Sequence, residues 1–140
     1  MNTLWLFIYS LLLNCNTVLT KISMKQPTVA MEYLIRKPAT DTTNAPMLIL
    51  LHGFGSNEQD LFSFAKQIPE NWLVVSARGL IPQGDNQYSW YNVKMINNRI
   101  TINFQEEEQS RQKILELIDY LIKTYKVDKN RVIIAGFSQG

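Results

Sequence analysis

The sequence predicts a doubly wound α/β fold with a mostly parallel sheet, and three observations predict it. Strand-length segments made almost wholly of apolar residues occur at Met47-Leu48-Ile49-Leu50-Leu51, Trp72-Leu73-Val74-Val75 and, after its leading arginine, Arg131-Val132-Ile133-Ile134-Ala135. An unbroken apolar run of this length suits a strand buried on both faces, as in a parallel sheet. Between the runs lie segments whose apolar residues recur at three- and four-residue steps, and this alternation of strand and helix patterns is the signature of α/β proteins. Finally, Gly, Pro, Asn and Asp punctuate the ends of the runs.

The first 23 residues stand apart. Leu4 to Leu13 is apolar except for Ser10, about half the ~20 residues that a membrane span needs. A signal-peptide core has this length, yet the first basic residue is Lys21, and Asn14 precedes Cys15 where a lipoprotein box expects a small side chain. Residues 1–23 therefore read as a mis-called start or dispensable leader, with translation from Met24 or Met31 and a cytoplasmic protein. A signal or lipoprotein leader and a membrane anchor are the alternatives, and they imply an exported or membrane-attached protein. Residues 24–140 contain no repeat or long linker and read as one unit.

The elements follow in order. Met31 to Arg36 alternates loosely and predicts a half-buried strand; Pro38 to Pro46 predicts a loop. Met47–Leu51 predicts a buried strand running into the glycine loop His52-Gly53-Phe54-Gly55. Ser56 and Gln59 stand at capping-box spacing, so a helix is expected from Ser56, with Leu61, Phe62, Ala65 and Ile68 as its apolar stripe and Pro69 as its stop. Trp72 to Val75 predicts a second buried strand, and Arg78 to Tyr91 a long surface loop. Gln105 to Lys126 predicts the longest helix, with Ile114, Ile118, Leu121, Ile122 and Tyr125 on one face. Its Glu106, Glu107 and Glu108 lie near the start and Lys123 and Lys126 near the end, the distribution that a helix dipole favours on a solvated face. After a turn at Val127 to Asn130, Arg131 to Ala135 predicts a third buried strand.

Composition bounds the function. The 140 residues amount to about one domain, and a net charge of +2 gives no electrostatic case for nucleic acid. One cysteine excludes an internal disulfide and a cysteine-based zinc site; one histidine, His52, excludes a multi-histidine metal centre. No metal or organic cofactor is implied.

The chemistry concentrates in two loops. Gly136-Phe137-Ser138-Gln139-Gly140 matches the G-x-S-x-G pattern of a nucleophile elbow and follows a predicted buried strand, as such an elbow must. The serine sits on a sharp turn that exposes its hydroxyl, and the glycines remove side chains that would clash there. Leu50-Leu51-His52-Gly53-Phe54-Gly55 is the second piece, a strand end where hydrolases of this kind place a backbone N–H of the oxyanion hole. The N–H after the nucleophile, that of Gln139, would be the other donor. The His52 side chain reads as structural, because a general base must reach the proton it removes.

With these residues in view, the chain resembles the phospholipase/carboxylesterase family, which includes the acyl-protein thioesterases. The resemblance is carried by LLHGFGSNEQDL at Leu50–Leu61, SARG at Ser76–Gly79, YSWY at Tyr88–Tyr91 and VIIAGFSQG at Val132–Gly140. It implies an α/β-hydrolase fold, Ser138 as nucleophile and the backbone N–H groups of Phe54 and Gln139 as the oxyanion hole. It also implies that Trp90 lines the acyl pocket or its rim, although a large aromatic anchoring a loop reads equally well.

In α/β-hydrolases the acid and the histidine follow the serine in the chain, and here neither follows Ser138. The expectation is an amino-terminal portion of a serine carboxylic-ester or thioester hydrolase, cut after the nucleophile strand and of little activity by itself. Its partner would be a small ester or acyl substrate, with membrane contact only if the leader is real. Lipase, peptidase or dienelactone-hydrolase activity, and a catalytically dead binding module, are the alternatives.

Overall fold

The computed structural model describes residues 30–39 and 43–140. The readings made on residues 1–23 lie outside the described residues. Four strands form the main sheet: β1 (Tyr33–Arg36), β2 (Met47–Leu51), β3 (Leu73–Ala77) and β8 (Val132–Gly136), in the order β1-β3-β2-β8. β2 runs parallel to both β3 and β8, and β1 is antiparallel to β3 at the edge. Helix α1 (Glu58–Phe62) continues into a 3-10 turn over Ser63–Gln67 between β2 and β3. Helix α2 (Phe104–Tyr125) precedes β8. Among the described residues no helix is long and apolar enough to cross a membrane.

The period-two geometry of strands explains why β2 and β3 are apolar throughout. Met47, Ile49 and Leu51 join Leu73, Val75 and Ala77 on one face, against Leu117, Ile118 and Leu121 of α2. Leu48, Leu50 and Val74 point the other way, against Leu61, Phe62, Ala65 and Ile68. The register supports this sorting, because Ile49 lies beside Val75 and Leu48 beside Val74. A one-residue slip would send each set to the wrong layer.

Several sequence expectations are corrected. The helix expected from Ser56 begins at Glu58: Asn57 is the N-cap, its side chain accepting from the Gln59 N–H at 2.8 Å, while the Ser56 hydroxyl donates to Asp60. An Asn one residue nearer the helix outcompetes the serine for the same orphan donors. The Arg78 to Tyr91 loop contains a hairpin, β4 (Ile81–Gly84) with β5 (Gln87–Ser89). A second hairpin, β6 (Val93–Ile96) with β7 (Arg99–Ile102), turns at Asn97 and Asn98, with φ of 50° and 57°. Two consecutive positive φ values suit the right-handed strand twist, and Asn tolerates them. β8 was expected to be buried on both faces, yet Ile133 and Ile134 are half exposed. It is the outer strand of the described sheet and pairs with β2 on one side only.

α2 behaves as its pattern predicts and also does more. Its N-cap, Asn103, accepts from the N–H groups of Gln105 and Glu106, and Lys126 ends it in the left-handed conformation at φ 51°. Glu106, read from sequence as part of a solvated face, accepts from the Asn92 N–H at 2.7 Å and from its side-chain amide. The buried Ser110 hydroxyl donates to the Trp90 carbonyl. The longest helix thus holds the segment Trp90–Asn92 against the sheet.

Candidate active site

The chain leaves β2 toward β3 on one side and returns across the sheet to β8 on the other. The carboxyl ends of β2 and β8 therefore flank the place where strand order reverses, where open α/β sheets form their crevice. The two sequence motifs sit there. The Phe137 N–H donates to the Leu51 carbonyl at 3.0 Å, which stitches the turn after β8 to the end of β2.

The turn Phe137-Ser138-Gln139-Gly140 is closed by the Gly140 N–H donating to the Phe137 carbonyl at 3.0 Å. Ser138 holds φ 55°, a conformation that costs a non-glycine residue on the order of 1 kcal/mol or more. Both flanking glycines are sterically required. A Cβ on Gly136 would overlap the Gly140 carbonyl group, and one on Gly140 would overlap the Leu51 carbonyl oxygen. Ser138 is exposed.

The facing loop is a tight turn. The Ser56 N–H donates to the Gly53 carbonyl at 3.2 Å, and Gly55 stands at φ 73° in the third position, which favours glycine. Gly55 and Ser56 are knitted to Tyr88 by two backbone hydrogen bonds of 2.9 and 2.8 Å. The loop lies against the elbow: a Cβ on Gly53 would stand 3.5 Å from that of Ser138. Among the described residues, neither the Phe54 N–H nor the Gln139 N–H donates to a protein acceptor.

His52 is fully buried behind this loop. Its Nδ1 lies 2.7 Å from the Gly53 carbonyl oxygen and its Nε2 lies 2.9 Å from the Gly79 N–H. A carbonyl only accepts and a backbone N–H only donates, so Nδ1 carries the proton and Nε2 accepts. That assignment is a neutral imidazole. Burial pushes its pKa below the ordinary value, against the opposing pull of the Gly53 hydrogen bond. With both nitrogens engaged, this ring is not placed to take a proton from Ser138.

Trp90 is buried, its ring centroid 5.2 Å from that of His52, and its indole N–H donates to the His52 carbonyl at 2.8 Å. It does not line the cavity beside the serine. That cavity, of about 560 Å³, is bounded by Ser138, Gln139, Phe54, Tyr91 and the β6–β7 hairpin. Val93 pairs with Ile102 and Met95 with Ile100, so these four apolar side chains share one face of the hairpin, and all four contribute to the wall. Sequence reasoning assigned no role to them. Their signal was the alternation on either side of Asn97-Asn98. Among the described residues no group of His, Cys, Asp and Glu is arranged to hold a metal ion.

Comparison with known proteins places this geometry in context. The family model described as phospholipase/carboxylesterase matches residues 35–140. The chain is similar to the crystal structure of the Bacillus cereus carboxylesterase, with 26% identity and a TM-score of 0.64, over 82% of this chain and 51% of that one. It is similar in fold to the carboxylesterase from Mesorhizobium loti, with 23% identity and a TM-score of 0.64, over 79% of this chain and 50% of that one. Esterase PE8 gives 20% identity and a TM-score of 0.64, over 78% and 53% of the two chains. The chain spans about half the length of the solved structures it matches.

Proposed function

The chain belongs to the phospholipase/carboxylesterase family of α/β-hydrolases, and from that membership we propose that the protein is a serine carboxylic-ester or thioester hydrolase with Ser138 as its nucleophile. The observation that carries the reading is the left-handed Ser138, held at φ 55° between two sterically required glycines and exposed at the rim of an apolar cavity. The Val93, Met95, Ile100 and Ile102 wall suits the acyl part of an ester.

Chemistry follows from the placement. A base removes the Ser138 proton as Oγ attacks the carbonyl carbon. The carbonyl oxygen becomes an oxyanion and accepts from the Phe54 and Gln139 N–H groups, both of which are without an acceptor among the described residues. Collapse expels the alcohol or thiol, which takes the proton from the base, and water then releases the acyl group by the same route. No metal or cofactor enters these steps. The only histidine of the 140 residues is committed elsewhere. The base and its acidic partner are therefore assigned to the part of the family's length that these residues do not span.

The test compares the whole protein, its Ser138→Ala variant and the 140-residue chain on p-nitrophenyl butyrate. The whole protein should hydrolyse it, and Ser138→Ala should lose on the order of 10⁴-fold or more in kcat. The 140-residue chain should show little turnover. Wild-type rates in Ser138→Ala would refute the assignment.

A further inference from the structure

The two N–H groups assigned to the oxyanion belong to different loops, and Gln139 and Trp90 join those loops. The Gln139 side-chain oxygen accepts from the Trp90 N–H at 3.0 Å, and its side-chain nitrogen donates to the Tyr91 carbonyl at 2.6 Å. Trp90 in turn reaches the other loop, its indole N–H on the His52 carbonyl. His52 and the Ser56 N–H hold the Gly53 carbonyl, and that carbonyl belongs to the same rigid peptide unit as the Phe54 N–H. An amide plane fixed at its C=O end aims its N–H. Trp90 is itself anchored from behind by Ser110 of α2.

We propose that the Gln139 side chain is a positioning group, a clasp that binds the nucleophile turn to Trp90–Tyr91 and thereby sets the Gln139 and Phe54 N–H groups at one fixed separation. The residue then acts twice, through its main chain on the oxyanion and through its side chain on the geometry of the hole. The chemistry favours this division. A side-chain amide offers one acceptor and one donor, and here each meets a main-chain partner of opposite type on two successive residues. Glutamate at this position would keep the acceptor for the Trp90 N–H but set a carboxylate oxygen against the Tyr91 carbonyl. Methionine would keep the length and lose both bonds. The inference rests on the assignment of Ser138 as the nucleophile.

The experiment uses the whole protein with Gln139→Met, Gln139→Glu and Ser138→Ala. Sites are titrated with a fluorophosphonate, so that kcat is counted per competent serine and a merely structural loss is removed from the comparison. Gln139→Met should lower kcat per titrated site on the order of 10²-fold, the effect of losing one oxyanion donor, with KM within about twofold. Affinity for a trifluoromethyl ketone, whose adduct carries the oxyanion, should fall by a similar factor, and Gln139→Glu should fall between Met and wild type. Independently of turnover, hydrogen exchange at the Trp90 amide should quicken at least about tenfold in Gln139→Met, since that amide loses its acceptor. The clasp is overturned if kcat per site and ketone affinity stay within about threefold of wild type, or if Trp90 exchange is unchanged. Full activity in Ser138→Ala would instead sink the esterase assignment, which keeps the two failures distinct.

Discussion

His52 is the sole histidine of the 140 residues, so the pH range in which imidazole titrates isolates one side chain. Its hydrogen bonds demand a neutral ring: protonation would place an Nε2–H against the Gly79 N–H, which already occupies that position as a donor. Burial lowers its folded pKa below the ordinary 6.5, while the unfolded chain keeps that ordinary value. The unfolded state therefore binds more protons as pH falls below about 6.5, and stability must fall with it. The full contribution is present above this pH and is lost downward toward the depressed folded value. In the limit that the folded ring stays neutral, the slope approaches about 1.4 kcal/mol per pH unit, and about 1.4 kcal/mol is lost between pH 7.5 and 5.5. With a urea m-value of about 1–3 kcal/mol/M, the midpoint should drop by roughly 0.5–1.4 M. The assay is urea unfolding of the 140-residue chain at half-unit steps of pH, beside His52→Gln, which can still accept from Gly79 but cannot titrate. The variant should start less stable and stay flat. A flat wild-type profile, or an equal slope in His52→Gln, would refute the tautomer and the buried role assigned to this ring.

Two further outcomes follow from named contacts. Gly140→Ala puts a methyl group into the Leu51 carbonyl, and the resulting strain should lower stability by about 1–3 kcal/mol, read by urea unfolding, and abolish fluorophosphonate labelling in the whole protein. Glu58→Gln keeps one acceptor for Arg78 but turns an amide NH2 toward the second of the two guanidinium donors that now reach a buried carboxylate at 2.6 Å, and it removes the negative charge, at a cost of about 1.5–3 kcal/mol. In the wild type Arg78 holds the Glu58 carboxyl below the ordinary value of 4.5, so this contribution is present above that pH and fades as pH falls through the depressed pKa. Acid unfolding followed by circular dichroism should show that lower window flattened in the variant.

The layers of the fold were legible because burial on both faces leaves an unmistakable apolar run, as in β2 and β3, and because α2 repeats its stripe over many turns. The hairpins were not. β4 contains Pro82 and Gly84, which read as loop. β6 and β7 turn on Asn97-Asn98 without the glycine that usually marks such a turn, and their apolar residues face a cavity rather than the core. The choice between Ser56 and Asn57 as a cap depends on where the chain enters the helix, which adjacent polar residues do not reveal. At the site, Ser138 and Gln139 could be proposed from the elbow motif, because the turn dictates its residues, whereas Phe54 could be proposed only through the family resemblance. The Gln139 side chain bonds at Trp90 and Tyr91, 49 and 48 positions away, and the donor and the acceptor it meets are main-chain groups that carry no sequence mark.

The proposed function turns on attack of the ester carbonyl by Ser138. Its most direct test is to trap the whole protein during hydrolysis with a fluorophosphonate, digest it, and locate the adduct by mass spectrometry against residual activity. One adduct per inactivated molecule, on the Ser138 oxygen, is the predicted result. Complete inactivation with the adduct on another residue, or full activity with Ser138 modified, would contradict it.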